Sequence, residues 1–170
     1  MLPATHLIGF GAKRSATVPT TPQDVPGGTG TGYVGDMTAG GGLSTGYDGN
    51  TAQGWYVGPA KSNSTSAYIG RTYAAGKYIQ KATIHPNTTY GISADSCTYT
   101  VTLRGKNGAP SSATDGTLLG TTLSIPNGQS TAFTVTSTDQ STAYTHVWVV
   151  FAPSILTNTS ISEIVITELV

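Results

Sequence analysis

Tyr47-Asp48-Gly49-Asn50-Thr51, then Trp55-Tyr56, then Ser66-Ala67-Tyr68-Ile69-Gly70 is the stretch on which the reading of this chain turns. Ahead of it lies a lead rich in Gly, Pro and Thr, and after it come evenly spaced runs of alternating apolar and polar residues. An Asp-Gly-Asn turn before a tryptophan points to a loop that holds a cation, a core aromatic or a ligand.

Working outward towards the C-terminus, strand signals become regular from Ala67. Residues 67–72 read as a short strand ended by Ala74-Ala75-Gly76. Residues 77–85 alternate, with Tyr78, Gln80, Ala82 and Ile84 on one face and Ile79, Lys81 and Thr83 on the other, and Pro86 ends the run. Residues 96–104 set Tyr99, Val101 and Leu103 against Thr98, Thr100 and Thr102, the pattern of a strand with one dry and one wet face. After a long loop from Gly105 to Gly116 come strand patterns at 118–125, 131–137, 144–151 and 161–170. The run Val147-Trp148-Val149-Val150-Phe151 is almost continuously apolar and is expected at the centre of a sheet. No segment sustains a helical period. Seven or eight short strands with frequent turn signals mean an all-β fold, a jelly-roll β-sandwich first and an immunoglobulin-like sandwich second.

Composition supports this. The chain has 170 residues, enough for one domain with a proper core. Its 30 Thr and 22 Gly disfavour helices. Net charge is zero and only 9% of residues are charged, so electrostatic capture of nucleic acid or an anionic membrane is not expected. A single cysteine, Cys97, excludes an intrachain disulfide and reads as a small strand residue, with no base near it in sequence. The apolar run Leu7-Ile8-Gly9-Phe10 is too short for a signal peptide and has its basic residues on the wrong side. No stretch has the length of a membrane span.

Towards the N-terminus, residues 1–42 hold most of the chain breakers, including Pro3, Pro19, Pro22, Pro26 and Gly40-Gly41-Gly42. Such a segment does not fold alone. It reads either as a disordered tail or, preferably, as an extended arm docking on a partner through Leu7, Ile8, Phe10, Tyr33 and Met37. The domain division expected is therefore an anchoring arm at 1–42 and a folded domain at 43–170.

The set Tyr47-Asp48-Gly49-Asn50-Thr51, Trp55, Ser66-Ala67-Tyr68-Ile69-Gly70, Gly76-Lys77-Tyr78-Ile79 and Ala82-Thr83-Ile84 resembles the front half of discoidin-type domains. These are the coagulation-factor type C, galactose-binding-like jelly rolls. Glu163-Ile164-Val165-Ile166 is similar to their last strand, and the resemblance spans residues 43–170. Behind a Gly-rich lead beginning Thr5-His6-Leu7-Ile8-Gly9-Phe10, such a domain also looks like small structural proteins of tailed phages and gene transfer agents, which serve as head spikes, head fibres or tail-tip modules. The resemblance implies a virion-surface protein made in a bacterial cytoplasm. Its arm would bind other virion proteins, its loops host-surface polysaccharide, and it would assemble as a homo-oligomer.

It also implies sites. In many members the Asp-Gly-Asn loop wraps Ca²⁺, and here Asp48, Thr51 and Glu163 would supply the hard oxygen ligands. The alternative is a turn in which Asp48 caps the amides of Asn50 and Thr51. The spacing from Asp48 to Trp55 is longer than the family's. Sugar ligands would fall to the loop after Ile84, where His85 stands in place of a frequent Arg and Asn87 and Tyr90 offer hydroxyl partner and platform. Tyr56, Lys61 and Asn63 are further candidates in the preceding loop. For any single one of these residues, ordinary exposed loop surface is the better reading. Catalysis has little support: the eight acidic residues include no close pair in an apolar setting, and His6, His85 and His146 are far apart. The alternative to an adhesin is an assembly part whose contacts are all with protein.

Overall fold

The structure is a computed structural model that describes residues 17–25, 32–37, 43–52, 66–93 and 95–170. Leu7, Ile8, Phe10, Trp55, Tyr56, Lys61 and Asn63 lie outside the described residues. Nine strands follow one another: β1 (Pro22–Asp24), β2 (Tyr33–Gly35), β3 (Ala67–Pro86), β4 (Tyr99–Lys106), β5 (Thr117–Leu118), β6 (Leu123–Ile125), β7 (Phe133–Thr136), β8 (Ala143–Pro153) and β9 (Ile161–Leu169). A 3₁₀ turn at Leu43–Tyr47 precedes β3. All strand pairs are antiparallel.

The architecture is the expected all-β jelly-roll sandwich, and its hinge is β3. Where the sequence suggests two strands separated by Ala74-Ala75-Gly76, the chain forms one strand of 20 residues with an irregularity between Thr72 and Lys77. Its first part pairs with β2 on one side and β8 on the other, and β8 in turn carries β4, which carries β5 and β6. Its second part pairs with β7 and β9, and β9 carries β1. One strand thus belongs to both layers and turns the corner between them. A second irregularity, between Ile79 and Lys81, reverses the expected facing of Ile79. The plain period of two would set Ile79 against Ala82 and Ile84, but the shift brings all three into the core.

The core lies between the layers and holds Ile69, Ile79, Ala82, Ile84, Val101, Leu103, Val147, Val149, Phe151, Ile164 and Ile166. β8 is central, between β3 and β4, as its apolar run foretold. Its continuous apolarity has a specific cause, because both of its faces are covered. Trp148 and Val150 point away from the main core and are roofed by the loop after β4, with Ala113 and Tyr68 packed on them. The Trp148 indole donates to the Ala113 carbonyl at 2.9 Å. Arg104 Nη1 holds the same loop by donating to the carbonyls of Thr114, Asp115 and Gly116 at 2.7, 3.3 and 3.1 Å. Cys97 is buried just ahead of β4, not within it.

The division at residue 42 does not follow the fold. β1 adds to β9 and β2 adds to β3, so parts of the expected arm are strands of the sandwich itself. Met37 is fully buried in the core and Tyr33 packs against it. These two anchors are used on the chain's own domain, because β9 and the first half of β3 would otherwise present open edges.

Two outcomes follow for stability. Met37→Ala is expected to cost about 2–5 kcal/mol in urea unfolding, whereas an arm independent of the domain would leave the midpoint unchanged. Gly70→Ala should cost about 1–3 kcal/mol or more, since a Cβ there would run into the Val147 carbonyl and the Trp148 side chain.

Candidate recognition pole and acidic latch

One end of the sandwich gathers the loops that join its two layers. The turn after β3 begins at Asn87, whose amide donates to the Ser160 carbonyl at 3.3 Å. Ser160 N donates to Ile92 O at 2.7 Å, and Ile92 N donates to Gln129 O at 2.9 Å. Ser154 N donates to Thr98 O at 2.8 Å. Residues 87–93 and 95–98, together with loops 126–131 and 154–160, are therefore tied into one surface. Ser93 and Thr157 share a hydroxyl contact at 3.0 Å, and Thr157 also donates to Asp95.

The expected sugar ligands are divided by this geometry. Tyr90 is 49% exposed at the tip of its turn, free to act as an aromatic platform. Asn87 is fully buried, and its Oδ1 accepts the amides of Thr89 at 2.7 Å and Tyr90 at 3.1 Å. It holds the turn that presents Tyr90 and does not reach a surface ligand. Its Nδ2 has no hydrogen-bond partner among the described residues. His85 is half-buried on the second layer, opposite Glu163, and burial lowers its pKa. Sequence reasoning missed Ile155 and Leu156, 47% and 57% exposed in the loop after β8. Their signal was present, as an Ile-Leu pair after a Pro-Ser turn has no alternating partner to pack against.

Beside this pole the Asp48 turn closes on β9. Glu163 is almost completely buried, and its Oε2 accepts the Gly49 amide at 3.1 Å. Asp48 Oδ1 accepts the Asn50 amide at 2.9 Å, so the turn-capping role is realised for Asn50. Gly49 takes φ +84°, which the turn requires and a side chain would resist. Burial pushes the Glu163 carboxyl up to about 7, the Gly49 bond pulls the other way, and the negative charge of Asp48 adds to the rise. Two neighbouring carboxylates with hard oxygens fit the chemistry of a Ca²⁺ ligand set. Among the described residues no group of three or more His, Cys, Asp or Glu side chains gathers, so any such site is completed by main-chain oxygens or Thr51, which is exposed.

The turn is anchored from behind by aromatic rings. Tyr47 stacks on Tyr33 with centroids 5.7 Å apart, and the buried Arg71 guanidinium lies 5.4 Å from the Tyr47 ring centroid. Arg71 also donates to the Val25 carbonyl at 3.4 Å.

No protein-family model and no curated protein sequence matches the chain. Solved structures do match in shape. A family 32 carbohydrate-binding module of NanJ from Clostridium perfringens, solved with galactose, superposes with a TM-score of 0.63 at 15% identity, over 87% of this chain and 100% of that one. Another family 32 module from Clostridium perfringens, solved with GalNAc-β-1,3-galactose, gives 0.60 at 14% identity, over 85% and 99%. An F5/8 type C domain from Bacteroides fragilis gives 0.59 at 13% identity, over 89% and 99%. The chain has the discoidin-like, galactose-binding-like fold of these modules.

Proposed function

We propose that this chain is a non-catalytic glycan-binding module that attaches a virion of a tailed phage or gene transfer agent to host-surface polysaccharide. The observation that carries the glycan reading is the pole where Tyr90, Ile155 and Leu156 are exposed on loops tied together by main-chain bonds. A sugar ring lays its C–H face on an aromatic or aliphatic surface and offers its hydroxyls to neighbouring polar groups, here Asn158, Asp95 and the Thr88-Thr89 turn. The solved neighbours with galactose and GalNAc-β-1,3-galactose support this use of the fold. The virion setting is supported by the Gly-rich lead, whose residues Leu7, Ile8 and Phe10 would bind other virion proteins. Tyr56, Lys61 and Asn63 belong to the same proposal as further ligand residues.

Ca²⁺ is part of this reading as a structural ion. Asp48 and Glu163, with Thr51, would hold it, and it would supply positive charge between two carboxylates that otherwise oppose each other.

The binding claim is tested by titrating galactosides and host capsule fractions against the intact protein. Tyr90→Ala is expected to weaken binding about tenfold while leaving the melting temperature unchanged, in line with about 0.5–1.5 kcal/mol for an aromatic contact. Absence of binding to every surface polysaccharide by the folded protein supports the other reading, an assembly part that touches only protein.

The latch makes a separate prediction about pH. In chelator, Glu163 binds its proton more tightly folded than unfolded, so stability is fully present below pH 4.5 and is lost as pH rises towards about 7. A loss of at most about 3 kcal/mol is expected across that window, roughly 1.4 kcal/mol for each unit of the rise. Ca²⁺ should remove the slope, and Glu163→Gln should abolish both the slope and the response to Ca²⁺. A slope that survives Glu163→Gln would assign it to another group.

A further inference from the structure

We propose that Asn127-Gly128 is a site of spontaneous deamidation, and that the fold shields the chain's other Asn-Gly dipeptide from the same reaction. The sequence contains four dipeptides capable of cyclising through a glycine nitrogen: Asp48-Gly49, Asn107-Gly108, Asp115-Gly116 and Asn127-Gly128. The reaction needs a side-chain carbonyl carbon that can rotate onto the next main-chain nitrogen, an N–H that is not committed elsewhere, and no Cβ in the way.

Asn127-Gly128 meets all of these conditions. Both residues are exposed in the turn between β6 and β7. Gly128 has φ +72°, and a Cβ there would meet nothing within 4 Å. Among the described residues neither the Asn127 side chain nor the Gly128 N–H makes a hydrogen bond, in contrast to every other dipeptide of the set. Asn107 donates to the Ala143 carbonyl at 3.2 Å and accepts the Thr145 amide at 3.0 Å. The Gly108 N–H donates to Thr145 Oγ1 at 3.2 Å. The Gly49 N–H is given to Glu163, and Asp48 Oδ1 is taken by Asn50. Asp115 touches the Gly116 N–H at 2.7 Å, but Lys106 and the Ser111 amide hold its carboxyl ionised, well below the usual range, and a carboxylate resists attack.

In the reaction the Gly128 nitrogen attacks Cγ of Asn127. The N–Cγ bond forms, the Cγ–Nδ2 bond breaks, and Nδ2 leaves as ammonia carrying the proton that was on the Gly128 nitrogen. Water then opens the cyclic imide at either carbonyl to give Asp or isoaspartate. One water is consumed, one ammonia is released, and no electrons change hands. The position matters because the next residue, Gln129, accepts the Ile92 amide at 2.9 Å, and Gly91 is packed against its main chain. Isoaspartate lengthens the main chain inside this turn, which shifts the support of the loop that carries Tyr90. It also takes the chain from a net charge of zero to a negative one.

The test is to age the folded protein at mildly alkaline pH and map its peptides by mass spectrometry that separates Asp from isoaspartate. Conversion at Asn127 should exceed that at Asn107 by at least about tenfold, since the Asn107 and Gly108 hydrogen bonds must open first. In denaturant the two sites should convert at similar rates. Thr145→Ala, which frees the Gly108 N–H, should accelerate Asn107, and Gly128→Ala should slow Asn127. Equal rates in the native state, faster conversion at Asn107, or no native conversion at Asn127 while the denatured chain converts would each overturn the proposal.

Discussion

The whole architecture depends on one strand having hydrogen-bonding partners in two layers. β3 gives its first residues to β2 and β8 and its last to β7 and β9, so its 20 residues supply a ladder edge to four other strands. The residues between Thr72 and Lys77 are where it crosses, and there the chain needs freedom from a ladder. Ala74, Ala75 and Gly76 provide it: they are small and exposed, and Gly76 passes close to Ala143. On the first layer Gly70 lets the main chain lie directly against Trp148. A strand that filled these positions with larger side chains would have to separate the layers or lose the indole from its covered face.

The open side of the sandwich is closed by residues that do not look like core. Arg71 sits inside the protein because the Tyr47 ring and the Val25 carbonyl replace part of the water it gives up. That arrangement couples regions far apart in sequence. The lead, through Val25 and Tyr33, the 3₁₀ turn, through Tyr47, and β3, through Arg71, meet at one cation. The next residue after Tyr47 is Asp48, so the acidic latch onto Glu163 begins where this packing ends. Loss of the lead would therefore loosen the latch as well as uncover two strand edges.

Most of the strand content was legible because alternation is a local property and this chain alternates strongly. Residues 144–151 were recognisable as central from apolarity alone, although only the fold shows that the 107–116 loop supplies the second cover. What sequence could not show were the features that depend on a partner. The continuity of β3, the reversal of Ile79 and the use of Met37 in the core all arise from pairing across long separations. At the pole that carries these loops, the sequence offers Asn87 and Tyr90 together as sugar contacts, one as hydroxyl partner and one as platform. Their roles separate only when the turn closes, since the Asn87 carbonyl oxygen is consumed by the amides that follow it and Tyr90 is left outside. The Asp48 turn was legible as a turn, whereas the hydrogen bond from the Gly49 amide to Glu163 shows only in the fold, the resemblance having offered Glu163 as a Ca²⁺ ligand.

The pairing of Thr21 with Val170 has a mechanical meaning. Their main chains exchange hydrogen bonds of 3.2 and 2.9 Å at the end of β9 remote from Tyr90, with β9 itself running about 26 Å between the two poles. A pull between the start of β1 and the loops around Tyr90 thus runs along the strands, not across them. The ladder bonds of β1, β9 and β3 are then loaded together in shear and must fail as a group. A pull separating residue 21 from residue 170 instead peels the same edge one bond at a time, so the sandwich resists force along its long axis far better than force across its ends.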